Sequence, residues 1–195
     1  MAQFPSARTR VEAVDLAPGD PEQQLGDPVE VARLICLNQL TARPRSRAEL
    51  SATLSKRGIP PEAAEEVLER LTEVGLIDDA AFAELWVRSR QRERGLASSV
   101  LRQELARKGV AAEVVSGALE QLEPGQEAAA ARALIQRKLL ATRGLPLQTR
   151  MRRLVSMLAR KGYASGLAFA VVREAIEAEG LSLDPSFVAL ESGQD

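Results

Sequence analysis

Apolar and polar positions along the chain repeat as a unit. Leu50 and Leu54, followed by Lys56, Arg57 and Gly58, form the first copy of a short pattern. Leu101 and Leu105 with Arg107, Lys108 and Gly109 form the second, and Leu154 and Leu158 with Arg160, Lys161 and Gly162 the third. Two leucines four residues apart stack on one face of a helix. A glycine just after the basic pair can adopt the left-handed conformation that stops it. The position ten residues beyond each glycine is Leu68, Leu119 and Val172, again apolar. A period of roughly fifty residues, longer than a two-helix solenoid repeat, predicts tandem three-helix units.

The flanking patterns fill in the other helices. Val31, Leu34, Ile35, Leu37 and Leu40 are apolar nearly all round and predict a well-buried helix that ends before Pro44. Ser46 to Glu49 is a capping box that opens the Leu50/Leu54 helix. After Gly58, Pro60 or Pro61 suits a first helical turn, and Ala64, Val67, Leu68, Leu71 and Val74 follow at helical spacing. In the second unit Asp78 or Asp79 is placed to cap a helix striped with Phe82, Leu85, Trp86 and Ser89, and Gly95 breaks it. The Leu101/Leu105 helix comes next, then one carrying Val114, Val115, Ala118, Leu119 and Leu122. In the third unit a helix through Leu134, Ile135 and Lys138 to Leu140 continues to Gly144; Met151, Leu154 and Leu158 mark the middle helix. Ser165 is the expected cap of a last helix with Leu167, Val171, Val172 and Ile176.

The predicted fold is all-α: an elongated, curved array of three tandem three-helix repeats. The expected divisions are a disordered acidic tail over 1–28, repeats over 29–75, 76–126 and 127–180, and a loose tail over 181–195. Composition agrees, since alanine, leucine, arginine and glutamate are abundant while aromatics make up 3% of the 195 residues. A three-helix unit of this size has too small a core to be very stable alone, so stacking between units should contribute.

Composition also excludes several functions. No run is long enough to span a membrane, and the N-terminus lacks an apolar signal segment, so the protein is expected in the cytoplasm. The single cysteine, Cys36, sits among apolar residues and is expected to be buried; an internal disulfide is excluded. Histidine is absent, which removes the commonest general base and metal ligand. No phosphate-binding loop, dinucleotide fingerprint, nucleophile elbow or metal-ligand cluster is present. Asp78-Asp79 is the one carboxylate pair worth asking about, and helix capping accounts for it. No enzyme, cofactor or metal is expected.

Net charge is −1, but its distribution is uneven. Arg88, Arg90, Arg92, Arg94, Arg102, Arg107 and Lys108 crowd the middle of the chain against only Glu93 and Glu104. Such a segment is either a solvated face or a docking surface for an anionic partner, nucleic acid or acidic protein. The basic pairs before each glycine also have a structural reason to exist, because cations are favoured at helix C-termini. The candidate partner-binding residues are Arg88, Arg92, Arg102, Arg107 and Lys108, extended by Lys56, Arg57, Arg160 and Lys161. Phe82, Trp86 and Phe169 lie on apolar faces and read as core. Tyr163 is the one candidate for an exposed stacking platform. Contacts to single-stranded or duplex DNA would therefore run through the backbone, with little sequence preference and strong salt sensitivity.

In their order and spacing these segments resemble the RecX regulatory proteins of bacteria. The resemblance rests on Arg45 to Leu50 with Lys56-Arg57-Gly58, and on Gly75 to Asp79 with Phe82-Ala83. It continues through Arg94-Gly95, Gln103 to Val110 and Ala159 to Tyr163, and covers about residues 29–179. The last unit, with Leu167 to Phe169 and Val171 to Glu174, is similar to the actinobacterial branch. The resemblance implies a monomeric, non-enzymatic modulator that lies in the groove of the RecA–DNA filament. It also implies inhibition of the recombinase, ATPase and coprotease activities of RecA, and hence a role in DNA repair. One departure stands out: the family often carries a further basic residue after Arg94-Gly95, where this chain has Ala97-Ser98-Ser99. The rival reading is a free-standing DNA-binding protein of helix-turn-helix type; a third is a helical adaptor for an unrelated protein.

Overall fold

The three leucine pairs fold into the second helix of three successive units. In the computed structural model, which describes residues 26–123 and 125–181, the first unit comprises α1 (Pro28–Ala42), α2 (Arg47–Lys56) and α3 (Pro61–Glu73). The second comprises α4 (Asp79–Arg94), α5 (Ser98–Arg107) and α6 (Ala112–Glu120). The third comprises α7 (Gln126–Leu139), a 3-10 turn at Leu140–Thr142, α8 (Leu147–Arg160) and α9 (Ser165–Glu177). The described residues contain no strand. The expected tail over 1–28 lies outside the described residues except at its end, where Asp27 caps α1 and Pro28 begins it. Residues 182–195 of the expected C-terminal tail also lie outside.

All nine repeat positions are buried: Leu50, Leu54, Leu68, Leu101, Leu105, Leu119, Leu154, Leu158 and Val172. They sit in three separate cores, one per unit. Among the described residues, the substantial helix-to-helix packing lies inside units, so the units meet through narrow joints. Cys36 is fully buried in the first core, and burial pushes its thiol pKa up.

Several expectations are corrected. Leu34, Val74 and Leu85 are more than half exposed. A face of α1 is thus open where all-round burial was expected, because a three-helix unit covers only part of each helix. On α4 the core is entered by Phe82, Ala83 and Val87 with Gln91, not by Leu85. Ser165 does not cap α9: it is the first helical residue, and Ala164 holds the cap position without a side-chain bond. The α-helix α7 stops at Leu139 and tightens into the 3-10 turn instead of running to Gly144. Tyr163 is no stacking platform. It is 3% exposed, and its hydroxyl donates to Gly95 O at 3.2 Å. Burial, with the charge of Glu127 adding to it, pushes its pKa up to about 12.

The two joints share one construction. At the first, Ser46 caps α2 by accepting from Glu49 N at 3.1 Å, while Glu49 accepts from Ser46 N at 3.3 Å. The same Ser46 hydroxyl donates to Lys108 O at 2.6 Å, across to the end of α5. At the second, Ser99 Oγ donates to Gly162 O at 2.6 Å and Ala97 N to Lys161 O at 2.9 Å. Each joint therefore sets the start of one middle helix against the end of the next. Gly109 and Gly162 have φ of 73° and 87°, and a Cβ on either would collide with Ala48 or with Ser99 and Val100. Gly58 has the same φ sign but open space around it among the described residues. The residues Ala97, Ser98 and Ser99, where the family often has a cation, are thus joint residues.

Candidate partner-binding surface

Around the first joint, one aromatic ring organises the charges. Trp86 projects from α4 and stacks on Phe82, ring centroids 5.9 Å apart. Arg90 lies over Trp86 at 4.1 Å from the ring centroid and Lys108 at 4.2 Å. Cations favour such positions against the ring quadrupole, more so when partly desolvated. Each cation has a carboxylate: Lys108 Nζ donates to Glu49 at 2.8 Å, and Arg90 Nε lies 3.4 Å from Glu104. Trp86 Nε1 donates to Glu104 at 2.8 Å. Burial alone would raise the pKa of Glu49, but the Lys108 and Ser46 hydrogen bonds outweigh it and leave that carboxyl below the usual range. The Lys108 side chain is only 16% exposed.

The other candidate cations are placed differently. Arg88 and Arg92 stand one turn apart on α4 and line a shallow groove against α7, with Gln91, Gln126 and Ala129. Arg88 is paired with Glu84, while Arg92 has no carboxylate within 4.0 Å among the described residues. Arg102 on α5 donates to Ser116 Oγ on α6 at 3.0 Å and remains exposed. Arg107, Lys56 and Arg57 are exposed at the ends of their helices. Arg160 is exposed at the end of α8 beside Lys138, Arg152 and Arg153. Lys161 is engaged in the second joint, where its ammonium donates to Arg94 O. So the nine candidates separate into seven exposed cations and two, Lys108 and Lys161, that tie units together. The structure brings Arg88 next to Arg92, and Arg160 next to three arginines and lysines outside the candidate set. Neither Arg102 nor Arg107 lines either of these two clefts.

The carboxylates at 78 and 79 are both taken up by backbone donors. Asp78 accepts from Ala81 N at 2.9 Å as the α4 cap, and Asp79 accepts from Arg47 N at 2.9 Å across the first joint. Among the described residues no group of three or more potential metal ligands converges, and no helix is long and apolar enough to cross a membrane. Sequence reasoning missed the Arg90–Trp86–Lys108 stack, because its members come from two helices and its acid, Glu49, from a third. It also missed Arg150, whose side chain is 2% exposed and bonded to Glu179, Leu139 O and Thr142. Hydrogen bonds from Arg143 and Arg150 in turn hold the Glu179 carboxyl below its usual range.

The relatives of this chain share the arrangement of units. Models of the first, second and third three-helix domains of RecX match residues 32–71, 78–119 and 126–172 in that order. The regulatory protein RecX of Streptomyces coelicolor is 57% identical over 154 residues, covering 79% of this chain and 82% of its own length. That of Thermobifida fusca is 53% identical over 153 residues, covering 78% and 83%. Among solved structures, RecX from Lactobacillus salivarius superposes with a TM-score of 0.70 at 20% identity, over 77% of this chain and 97% of that one. A second structure, of a regulatory protein RecX, superposes with a TM-score of 0.66 at 27% identity, over 78% and 72%. Three matched domains in the same order as three cores, together with more than half of the aligned residues identical in an actinobacterial relative, lead to one conclusion: the chain belongs to the RecX family of regulatory proteins.

Proposed function

We propose that this protein regulates RecA by binding the RecA–DNA filament as a monomer and inhibiting the recombinase, ATPase and coprotease activities of RecA, and that it thereby tunes DNA repair. The reading is carried by one observation: three RecX-type units joined in series, with exposed arginines on the two helices that lead the middle unit. A serial array of this kind can follow a helical nucleoprotein surface, and exposed cations suit its anionic components. Arg88, Arg92, Arg102 and Arg107 are the main contacts in this proposal, extended by Lys56, Arg57 and Arg160. Lys108 and Lys161 support the surface from within the joints.

The decisive measurement is RecA ATPase on single-stranded DNA with and without the protein. Inhibition is expected at stoichiometric levels, and an unchanged rate would overturn the proposal. One exposed cation contributes a few tenths to about 1 kcal/mol, so single substitutions should be mild. Reversing Arg88, Arg92, Arg102 and Arg107 together should abolish inhibition with the helical circular dichroism intact. A reversed variant that still inhibits would move the contact elsewhere. Sequence-preferring duplex binding without RecA would favour the helix-turn-helix reading instead.

A further inference from the structure

The third unit holds a cluster of cations with no acid beside it. From Ala128 to Arg173 the sequence has ten basic residues and no acidic one. Some of the ten are used internally: Arg150 is buried, Arg132 pairs with Glu174, Arg143 with Glu179 and Arg173 with Glu177. Four others meet around one open cleft between the end of α7 and the exposed side of α8. Lys138, Arg152, Arg153 and Arg160 line it, with Ser156 between them, and its volume is about 500 Å³. Among the described residues none of these four cations lies within 4.0 Å of a carboxylate.

Folding alone does not explain them. The buried face of α8 is Met151, Leu154 and Leu158 with Arg150, so Arg152 and Arg153 point away from the core. The helix dipole favours cations at C-termini, which accounts for Arg160 and Lys138 at the ends of their helices. It offers nothing to Arg152 and Arg153, which sit in the first half of α8. Four cations kept together without counter-charges repel one another, and a polyanion relieves that.

We propose that this cleft seats the sugar-phosphate backbone of DNA, held through its phosphates and not its base edges. Arg152, Ser156 and Arg160 succeed one another at four-residue steps and so form one stripe along α8. Eight residues of helix at 1.5 Å each make that stripe about 12 Å long. That length exceeds the axial spacing of about 3.4 Å between charges on one DNA strand, so the stripe can meet more than one phosphate. That reach favours an extended polyanion over a single small anion. Arginine forks bind phosphate oxygens in a bidentate manner and hydroxyls add neutral donors, which favours phosphate over an acidic peptide. The inference rests on the RecA reading only in taking the filament's DNA as the natural occupant.

The test is direct DNA binding by the full chain without RecA, so it stands apart from the ATPase assay. Fluorescence anisotropy of a labelled oligothymidylate is followed across a salt series. Three proteins are compared with wild type: Lys138→Gln/Arg152→Gln/Arg153→Gln, the charge-keeping Arg152→Lys/Arg153→Lys, and a first-unit control, Arg33→Gln/Arg70→Gln, whose two arginines are exposed and paired within their own helices. The triple variant should bind at least tenfold more weakly at low salt. Its slope of log affinity against log salt should flatten by about two, at roughly 0.7 per lost contact. The lysine variant should keep the wild-type slope, which shows that charge and not folding was lost; the first-unit control should stay within about twofold of wild type. Unchanged binding by the triple variant overturns the assignment, and so does an equal loss in the first-unit control. Displacement of the DNA by polyglutamate at equal charge would also overturn it, in favour of an acidic-peptide site. If ATPase inhibition is absent while the DNA result holds, the RecA reading fails and the cleft stands.

Discussion

The middle and last units differ in how they treat positive charge. Residues 76–126 carry seven basic and eight acidic side chains, while residues 127–180 carry ten and four. The middle unit draws attention in sequence because its arginines are crowded into one stretch. In the folded chain much of that charge is spoken for: Arg88 by Glu84, Arg90 by Glu104 and the Trp86 ring, Lys108 by Glu49. The last unit spaces its cations more widely yet leaves four of them open around one cleft. Local density of basic residues is therefore a poor guide to available charge. What decides it is whether an acid stands within reach after folding, including acids from another unit.

Arg150 is the sharpest exception within the last unit, and its removal should have the largest effect. It is a buried cation with its guanidinium fully engaged, by Glu179 at 2.5 Å, Leu139 O at 3.0 Å and Thr142 Oγ1 at 3.0 Å. Arg150→Ala leaves the Leu139 carbonyl without this donor, leaves Glu179 with Arg143, and opens a void. An unpaired buried acceptor costs about 1–3 kcal/mol, and truncating a buried side chain to alanine adds about 2–5 kcal/mol. Arg152→Ala, two residues away and exposed, should change stability by less than about 0.5 kcal/mol. Urea denaturation separates the two; equal losses would mean that pairing does not distinguish these cations.

The glycines extend the comparison to the joints. A left-handed backbone costs a residue with a Cβ about 1–2 kcal/mol. Gly58→Ala should lose about that much, since a Cβ there meets open space. Gly109→Ala should lose a further 1–3 kcal/mol, the usual cost of overpacking, because its Cβ would strike Ala48 of the first unit. Thermal unfolding of the two variants measures the difference. If they match, the first joint contributes little to stability.

Much of the fold was legible because a helix writes its core at fixed spacing. The leucine pairs, the Ser46 capping box and the Asp78 cap depend only on residues within a turn or two. The joints were not legible. Ser46 bonds Lys108 O across 62 positions and Tyr163 bonds Gly95 O across 68, and neither separation leaves a trace in local pattern. For the same reason Tyr163, next to a helix-stopping glycine, looked exposed. The acid-free run from Ala128 to Arg173 could have been read from sequence, but without density it did not stand out. Two of the three basic pairs before the glycines split in the folded chain: their lysines at 108 and 161 hold joints, while Arg107 and Arg160 stay outside.

That split gives a smaller prediction. Lys108→Met removes a charged hydrogen bond and one cation from Trp86, and bonds to charged groups contribute about 1.5–3 kcal/mol. A loss of about 2 kcal/mol is expected for Lys108→Met, against less than about 0.5 kcal/mol for the exposed Arg107→Met. In RecA inhibition the order should reverse once stability is matched, with Arg107 the more sensitive. A Lys108 variant as stable as wild type would remove the structural reading of the pair.

The smallest effect is a pH dependence at the same joint. The Glu49 pKa is lowered in the folded chain, since the Lys108 and Ser46 hydrogen bonds outweigh its burial. A carboxylate whose folded pKa is depressed stabilises fully above its unfolded pKa, about 4.3, and loses that contribution as pH falls through the folded value. Wild type should therefore exceed Glu49→Gln in stability by a constant amount above about pH 5, and the difference should shrink below about pH 4. Trp86 is the only tryptophan and touches Lys108, so its emission reports the joint directly. In wild type the emission should shift in that acid window as Lys108 loses its carboxylate. Glu104 also faces Trp86 but is common to the two proteins, while Arg43 pairs with Glu49 itself and so belongs to the same difference as Lys108. A Glu49→Gln protein with the same acid shift as wild type would show that Glu49 does not govern the acid response of the joint.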